Sequence, residues 1–378
     1  MPRNSAPHTP AQRLSTVRLA FRPHEEVAAD LTKPIGANLS VIERVGRTLF
    51  TASDEGARIE RLATHDGAIF GEHASYALAD FFKLPAGAEG EADVEGLCVD
   101  PGSGGWLWVV GSHSLARSKP KPDEDDATAC LERLTEVRRD PNRCLLGRIP
   151  LVEVAEGLFE PVRADGERTA ACLKMGRKRN ALAKRLRRDD HIGRFIGVPA
   201  KENGFDVEGI AARGERVFLG LRGPVLRGWA CILELTVRQT KPHRLRLCGS
   251  GPDDEAYRKH FVDLDGLGVR ELAIDGDDLL ILAGPTMDLD GPVSVYRWAG
   301  ALASEEGQVV PRDHLVRLLD VPFGAGCDHA EGIARLERPG AAPLLMVAYD
   351  SPAPDRRHDG GTAVDADLFE LPTPRLFF

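Results

Sequence analysis

Asp206-Val207-Glu208-Gly209-Ile210 is one of three copies of a short phrase, the others being Asp93-Val94-Glu95-Gly96-Leu97 and His329-Ala330-Glu331-Gly332-Ile333. A fourth, decayed copy reads Gly268-Val269-Arg270-Glu271-Leu272, and a fifth, fainter still, reads Asn38-Leu39-Ser40-Val41-Ile42. One phrase returning along a chain marks one supersecondary unit repeated, each unit too small to bury its apolar face alone. What surrounds the phrase repeats as well. A second apolar strand follows it at Thr48–Ser53, Trp106–Gly111, 217–221, 279–284 and 344–349. A third lies at 57–62, 144–150, 231–237, Val293–Trp298 and 367–371, and a fourth at 76–82, 192–198, 260–264 and Leu315–Val321.

Four strands per unit at a spacing of about 55 to 65 residues is the period of a β-propeller and not of a helical solenoid. The phrase predicts an all-β, five-bladed propeller occupying residues 1–378 as one domain. Between Glu95 and Glu208 the spacing roughly doubles. The excess, residues 151–191, reads as a helical, basic insertion in the second blade, with a sixth blade as the alternative count. Within it 169–188 reads as a helix rich in Lys and Arg, either packed on the propeller or offered to an acidic protein partner. The fifth unit ends with only three strands, and residues 15–22 have the alternation to supply the missing one. Such a strand would close the last blade and leave no open sheet edge at the seam.

Composition narrows the function. The chain of 378 residues carries 58 acidic against 49 basic side chains, a net charge of −9, which argues against a surface built to coat nucleic acid. No segment approaches the roughly 18 apolar residues of a membrane span. The amino-terminal stretch has no run of signal-peptide length, so the expected compartment is the cytoplasm. Seven cysteines, odd in number and never spaced as C-x-x-C, predict free thiols and no zinc ribbon.

A propeller gathers the start of every innermost strand around one channel. Glu95, Glu208 and Glu331 are therefore expected together, with Ser40 and Arg270 at the matching places in the other blades. Three carboxylates near a narrow axis need a compensating cation. A calcium ion suits the oxygen-rich set Glu95, Glu208, Glu331 and Ser40. Arg270 offers a metal-free alternative, since a guanidinium can bridge carboxylates. A third reading has the glutamates bonding neighbouring backbone, with the phrase glycines there only for close strand approach. Loops between second and third strands open on the same face. They are expected to place Asp54, His113, Arg117, Arg222, Arg227, Asp288, Asp350 and His329 around one cavity. The arginines suit a small anionic or phosphorylated ligand, with His113 or Asp288 as proton carriers. Two functions follow: a hydrolase, metal-assisted or not, and a non-enzymatic binding or scaffold propeller.

Residues 93–100 (DVEGLCVD), 206–224 (DVEGIAARGERVFLGLRGP), 268–292 (GVRELAIDGDDLLILAGPTMDLDGP) and 329–336 (HAEGIARL) closely resemble a bacterial family known as a domain of unknown function, over nearly the whole chain. More distantly, the Glu-Gly strands look like those of phytase-like esterase propellers and of the five-bladed calcium-activated nucleotidases. In the nucleotidases a ring of glutamates and serines, one per blade, holds calcium. The resemblance implies such a role for Ser40, Glu95, Glu208 and Glu331. Arg270 departs from it, standing where that ring has a serine.

Overall fold

The chain is described here by a computed structural model covering residues 7–27, 31–53, 55–100, 105–177, 180–249, 256–287, 289–338 and 340–372. Its inner strands are Leu39–Val45, Val94–Val99, Asp206–Arg213, Gly268–Asp275 and His329–Arg338. Each turns back into a second strand: Thr48–Ser53, Trp106–Gly111, Arg216–Gly223, Asp278–Gly284 and Ala341–Asp350. Gly46 and Gly214, at φ 58° and 62°, supply the left-handed residue that two of these tight hairpins demand. The second strands read as continuous apolar runs because both their faces are covered. Trp106–Gly111 is buried at every residue.

Third strands pair with the second, antiparallel, at Arg58–Ala63, Leu146–Ala155, Ala230–Lys241, Val293–Trp298 and Ala363–Glu370. Fourth strands complete the units at Ile69–Ala77, Ala171–Cys172, Tyr257–Val262 and Leu315–Val321. In the fifth unit Ser15–Ala20 pairs antiparallel with Ala363–Glu370, with Val17 opposite Ala366 and Leu19 opposite Val364. Its other edge meets Ile69 and Phe70 of the first unit in parallel register.

The inner strands neighbour one another in a closed cycle, first to second, second to third and so on, with the fifth beside the first. The core follows the same cycle. Phe50 and Ile59 pack with Leu107 and Val109, Trp108 and Val110 with Leu219 and Leu233, and Phe218 and Ile232 with Ile281 and Trp298. Leu280 and Val295 pack with Leu345 and Val347, and Leu49 and Leu62 with Met346, Leu19 and Val17. Every cluster joins two successive units, as twisted sheets stacked around an axis require. The architecture is all-β and propeller-like.

The helical reading of the insertion is corrected. The third strand of the second unit runs on to Ala155 and folds back at Leu158–Pro161. Ala171–Cys172 then pairs with Gly147 and Arg148, so the start of the expected 169–188 helix is strand. Helix is confined to Ala181–Leu186, where Asn180 caps the first turn by accepting from the Ala183 amide at 2.7 Å. Arg177 and its basic neighbours in sequence precede that cap, and positive charge at a helix start opposes its dipole. The helix buries Leu182, Ala183 and Leu186 and leaves Lys184, Arg185, Arg187 and Arg188 in solvent. The fourth strand expected at 192–198 is likewise a 3-10 turn, Gly193–Gly197. No helix among the described residues is long and apolar enough to cross a membrane.

Candidate functional site

All five phrase positions carry the same backbone irregularity. Register slips by one residue between Leu39 and Val41, Val94 and Gly96, Val207 and Gly209, Val269 and Glu271, and Ala330 and Gly332. The residue skipped in each case is Ser40, Glu95, Glu208, Arg270 or Glu331. A bulge leaves its extra residue outside the ladder and re-aims the side chain, and here it happens once per unit. A second slip, between Asp206 and Val207, leaves Arg222 unpaired on the adjacent strand.

Three of the re-aimed groups, Glu208, Arg270 and Glu331, form a chain of ion pairs with Arg222. Arg270 Nε lies 3.0 Å from Glu208 Oε2, and its Nη2 donates to Glu331 Oε1. Arg222 Nη1 is 2.8 Å from Glu208 Oε1, and its Nη2 is 2.6 Å from Asp206 Oδ2. Arg143, from the 3-10 turn Pro141–Cys144 that leads into the third strand of the second unit, reaches Asp93 Oδ2 at 2.9 Å and also pairs with Glu91. Burial works against the Arg222 charge, but Asp206, Glu208, Glu95 and Asp93 outweigh it and hold the guanidinium above its ordinary pKa. Glu95 has no such clamp. Burial first, then the charges of Asp93, Glu208 and Asp206, push it well above the carboxylate range, with Arg222 only partly offsetting them. Asp206 is raised by burial as well.

Two cavities open over this network. The larger, of about 650 Å³, has Asp93, Glu95, Asp206 and Glu208 in its floor and is also touched by Glu331. Arg117, Lys119, Arg138 and Lys201 stand among its walls. Part of that wall comes from an excursion between the second and third strands of the second unit. There Ala116–Arg117 pairs with Val137–Arg138 around the short helix Ala127–Arg133. The smaller cavity, of about 420 Å³, takes in Arg270, His329 and Asp290 and shares Arg222, Glu331 and Asp350 with the first.

The positions singled out in the sequence thus divide. Glu95, Glu208, Glu331, Arg270, Arg222, Arg117, His329 and Asp350 line one cavity or both. Ser40 lines neither, and its Oγ donates to the Ala52 carbonyl at 3.5 Å. His113 also turns away: Nε2 lies 3.1 Å from the Leu145 carbonyl, and burial lowers its pKa to about 4, so it stays neutral. Arg227 is exposed on a hairpin outside both cavities. Asp54 and Asp288 lie outside the described residues. Sequence reasoning missed Asp93 and Asp206 as site residues although they recur two places before the glutamate. Arg143, Lys201 and Asp290 fall in stretches with no repeating frame.

The donor set does not fit a calcium ion. Glu208 and Glu331 turn oxygens to a guanidinium, and Ser40 is engaged with backbone. Among the described residues no three His, Cys, Asp or Glu side chains are grouped to hold a metal.

Residues 38–367 match the family described as "Protein of unknown function (DUF3616)". No curated protein matches the sequence. Among solved structures, the chain is similar to the PQQ-bound aldose sugar dehydrogenase of Streptomyces coelicolor at 11% identity and a TM-score of 0.36, over 89% of this chain and 96% of that one. It is similar to the endosialidase of phage phi92 at 9% identity and a TM-score of 0.34, over 96% and 70% of the two chains. The N-terminal domain of Nup159 matches at 10% identity and a TM-score of 0.26, over 96% and 98%.

Proposed function

We propose that this chain, which belongs to the DUF3616 family of proteins of unknown function, is a single five-bladed propeller closed by residues 15–22. At the mouth of its channel it binds a small hydroxylated anion, and a guanidinium stands at the centre in place of calcium. The cyclic contact of five inner strands supports the blade count. The ligand class rests on one observation: the larger cavity sets the buried carboxyl groups of Asp93, Asp206 and Glu208, already paired with Arg143 and Arg222, opposite the exposed cations Lys119, Arg138 and Lys201. Carboxyl oxygens of Asp93, Glu95, Asp206 and Glu208 are acceptors for hydroxyl groups, while Arg138 and the two lysines favour an anionic group at the rim. Calorimetry with glucuronate and glucose 6-phosphate, set against glucose and inorganic phosphate, tests this. The charged sugars are expected to bind tighter than either reference, and Arg138→Ala to weaken them severalfold. Glucose binding as well as the charged sugars, or no binding by any of the four, overturns the reading.

Glu95 favours a second reading, a hydrolase of the same ligand class. A carboxyl lining a cavity, its pKa raised by burial and by neighbouring carboxylates, suits a general acid, a role His113 cannot fill from its place beside Leu145. Turnover of phosphate esters and glycosides that is lost in Glu95→Gln and indifferent to calcium is expected; a full panel without turnover removes the hydrolase and leaves the binding protein. All seven cysteines are unpaired, which accords with a reducing compartment such as the cytoplasm. The exposed Lys184, Arg185, Arg187 and Arg188 suit an acidic protein partner.

A further inference from the structure

The two cavities share Lys119, Lys201, Arg222, Glu331 and Asp350, so they are lobes of one groove across the channel mouth. Their chemistry differs. Facing the charged side of the smaller lobe is an apolar wall of Pro285, Met287, Leu289, Val293 and Phe323. Met287 is 48% exposed, Leu289 63% and Phe323 38%. Large apolar side chains grouped beside a polar site and left half in water are the usual mark of a surface that something covers.

The wall is braced in place. Phe323 meets the His8 ring edge-on at 5.6 Å, and His8 Nε2 lies 3.1 Å from the Val293 carbonyl. Across the lobe Asp290 accepts from the Gly326 amide at 3.0 Å and bonds His329 Nε2 at 3.0 Å, tying the two loops that carry Leu289 and Phe323. The lobe's volume of about 420 Å³ has room for a ring-sized group against the apolar wall beside the polar side chains.

We infer that the smaller lobe is a subsite for an aryl or short acyl group, and that the ligand is a conjugate joining this group to the hydroxylated anion of the larger lobe, with the linkage passing over Arg222, Glu331 and Asp350. The inference rests on the reading of the larger lobe as a site for a hydroxylated anion. Within one groove the apolar part gains by leaving water while the anion remains at the basic rim.

Calorimetry with methyl glucuronide and phenyl glucuronide tests it through the ratio of their affinities. In the native protein the phenyl compound is expected to bind about tenfold tighter, and in the folded Leu289→Ser/Phe323→Ser variant the ratio falls to near one. Methyl glucuronide binding with no phenyl gain, or a gain that survives the double substitution, overturns the subsite and leaves the larger-lobe reading standing. Phenyl glucuronide binding that depends on Leu289 and Phe323, with no methyl glucuronide binding and no response to Arg138→Ala, upholds the apolar subsite and overturns the anion reading. If neither compound binds, both fall.

Discussion

Arg270 occupies the bulge position that glutamate holds in three other units, and the ion pairs around it explain why the ring tolerates so many carboxyl groups. Glu208 is shared between two guanidiniums and Glu331 is held by one of them. Removing one partner of a buried pair leaves the other charge desolvated, at a cost of about 3 kcal/mol or more. Arg270→Ser is therefore expected to melt well below the native protein and to recover with added calcium, whereas native protein shows no calcium-dependent shift and carries none when purified. Stoichiometric calcium in native protein by elemental analysis would rule out the guanidinium's role. Deeper in the channel wall Glu43 gives a second test. It accepts from the Val99 amide at 2.8 Å, and burial pushes its pKa from near 4.5 up to about 8. Unfolded chains release this proton above pH 4.5 while the folded protein keeps it, so the Glu43 contribution to stability declines as pH rises toward 8 and then levels. Glu43→Gln keeps an oxygen for Val99 and has no proton to lose. Urea melts should find the two proteins closely matched at low pH and the variant steadier at pH 8.5 by on the order of 4 kcal/mol; a difference that does not change with pH would disprove the linkage.

At the scale of the element, the phrase works because a bulge and a glycine sit side by side. A Cβ on Gly209 would lie 2.9 Å from the Leu272 nitrogen, and one on Gly332 would lie 2.8 Å from the Ile42 nitrogen. Both contacts are with backbone of the next inner strand, which cannot move without opening the ring. Gly209→Ala and Gly332→Ala are each expected to cost about 2 kcal/mol or more, while Gly71→Ala, with open space around it, stays within about half a kcal/mol. Equal melting of all three would refute close strand approach. This coupling is also why the fold could be read so far from sequence: the phrase aligns unit with unit, and Thr48–Ser53 and Trp106–Gly111 follow from it with their observed bounds. The reading failed where no frame repeats. The basic stretch before Asn180 has helical composition but the wrong charge for a helix start, and just ahead of it Ala171 and Cys172 pair as strand with Arg148 and Gly147. The helix Ala127–Arg133 likewise stands outside the repeat, behind a charged stretch whose Asp126 is its N-cap, accepting from the Ala129 amide at 2.8 Å. Arg143 and Lys201 reach the cavity from such stretches, so the phrase positions Glu95, Glu208, Glu331 and Arg270 were legible in the sequence and these two cations were not.

For the whole molecule the decisive contact is the seam. Ser15–Ala20 is covalently far from every strand it touches, yet it completes the fifth unit and lies against the first. Val17 and Leu19 are fully buried there, in an apolar cluster that joins the end of the cycle to its beginning. Burying each such side chain is worth about 1.5 to 3 kcal/mol, and losing the strand would also bare the ladder groups of Ala363–Glu370 as an unpaired edge. A chain starting at residue 21 is therefore expected to lose its sharp melting transition and to self-associate on light scattering. A synthetic peptide of residues 11–22 supplied in trans should restore a monomer with a cooperative melt, because it refills the same edge. The same peptide with Leu19→Asp should not, since it places a charge in the cluster around Leu49, Leu62 and Met346. A truncated chain that remains monomeric and melts like the native protein would mean that the ring holds without this strand, and that the Leu49, Leu62 and Met346 contacts suffice to lock the first unit to the fifth.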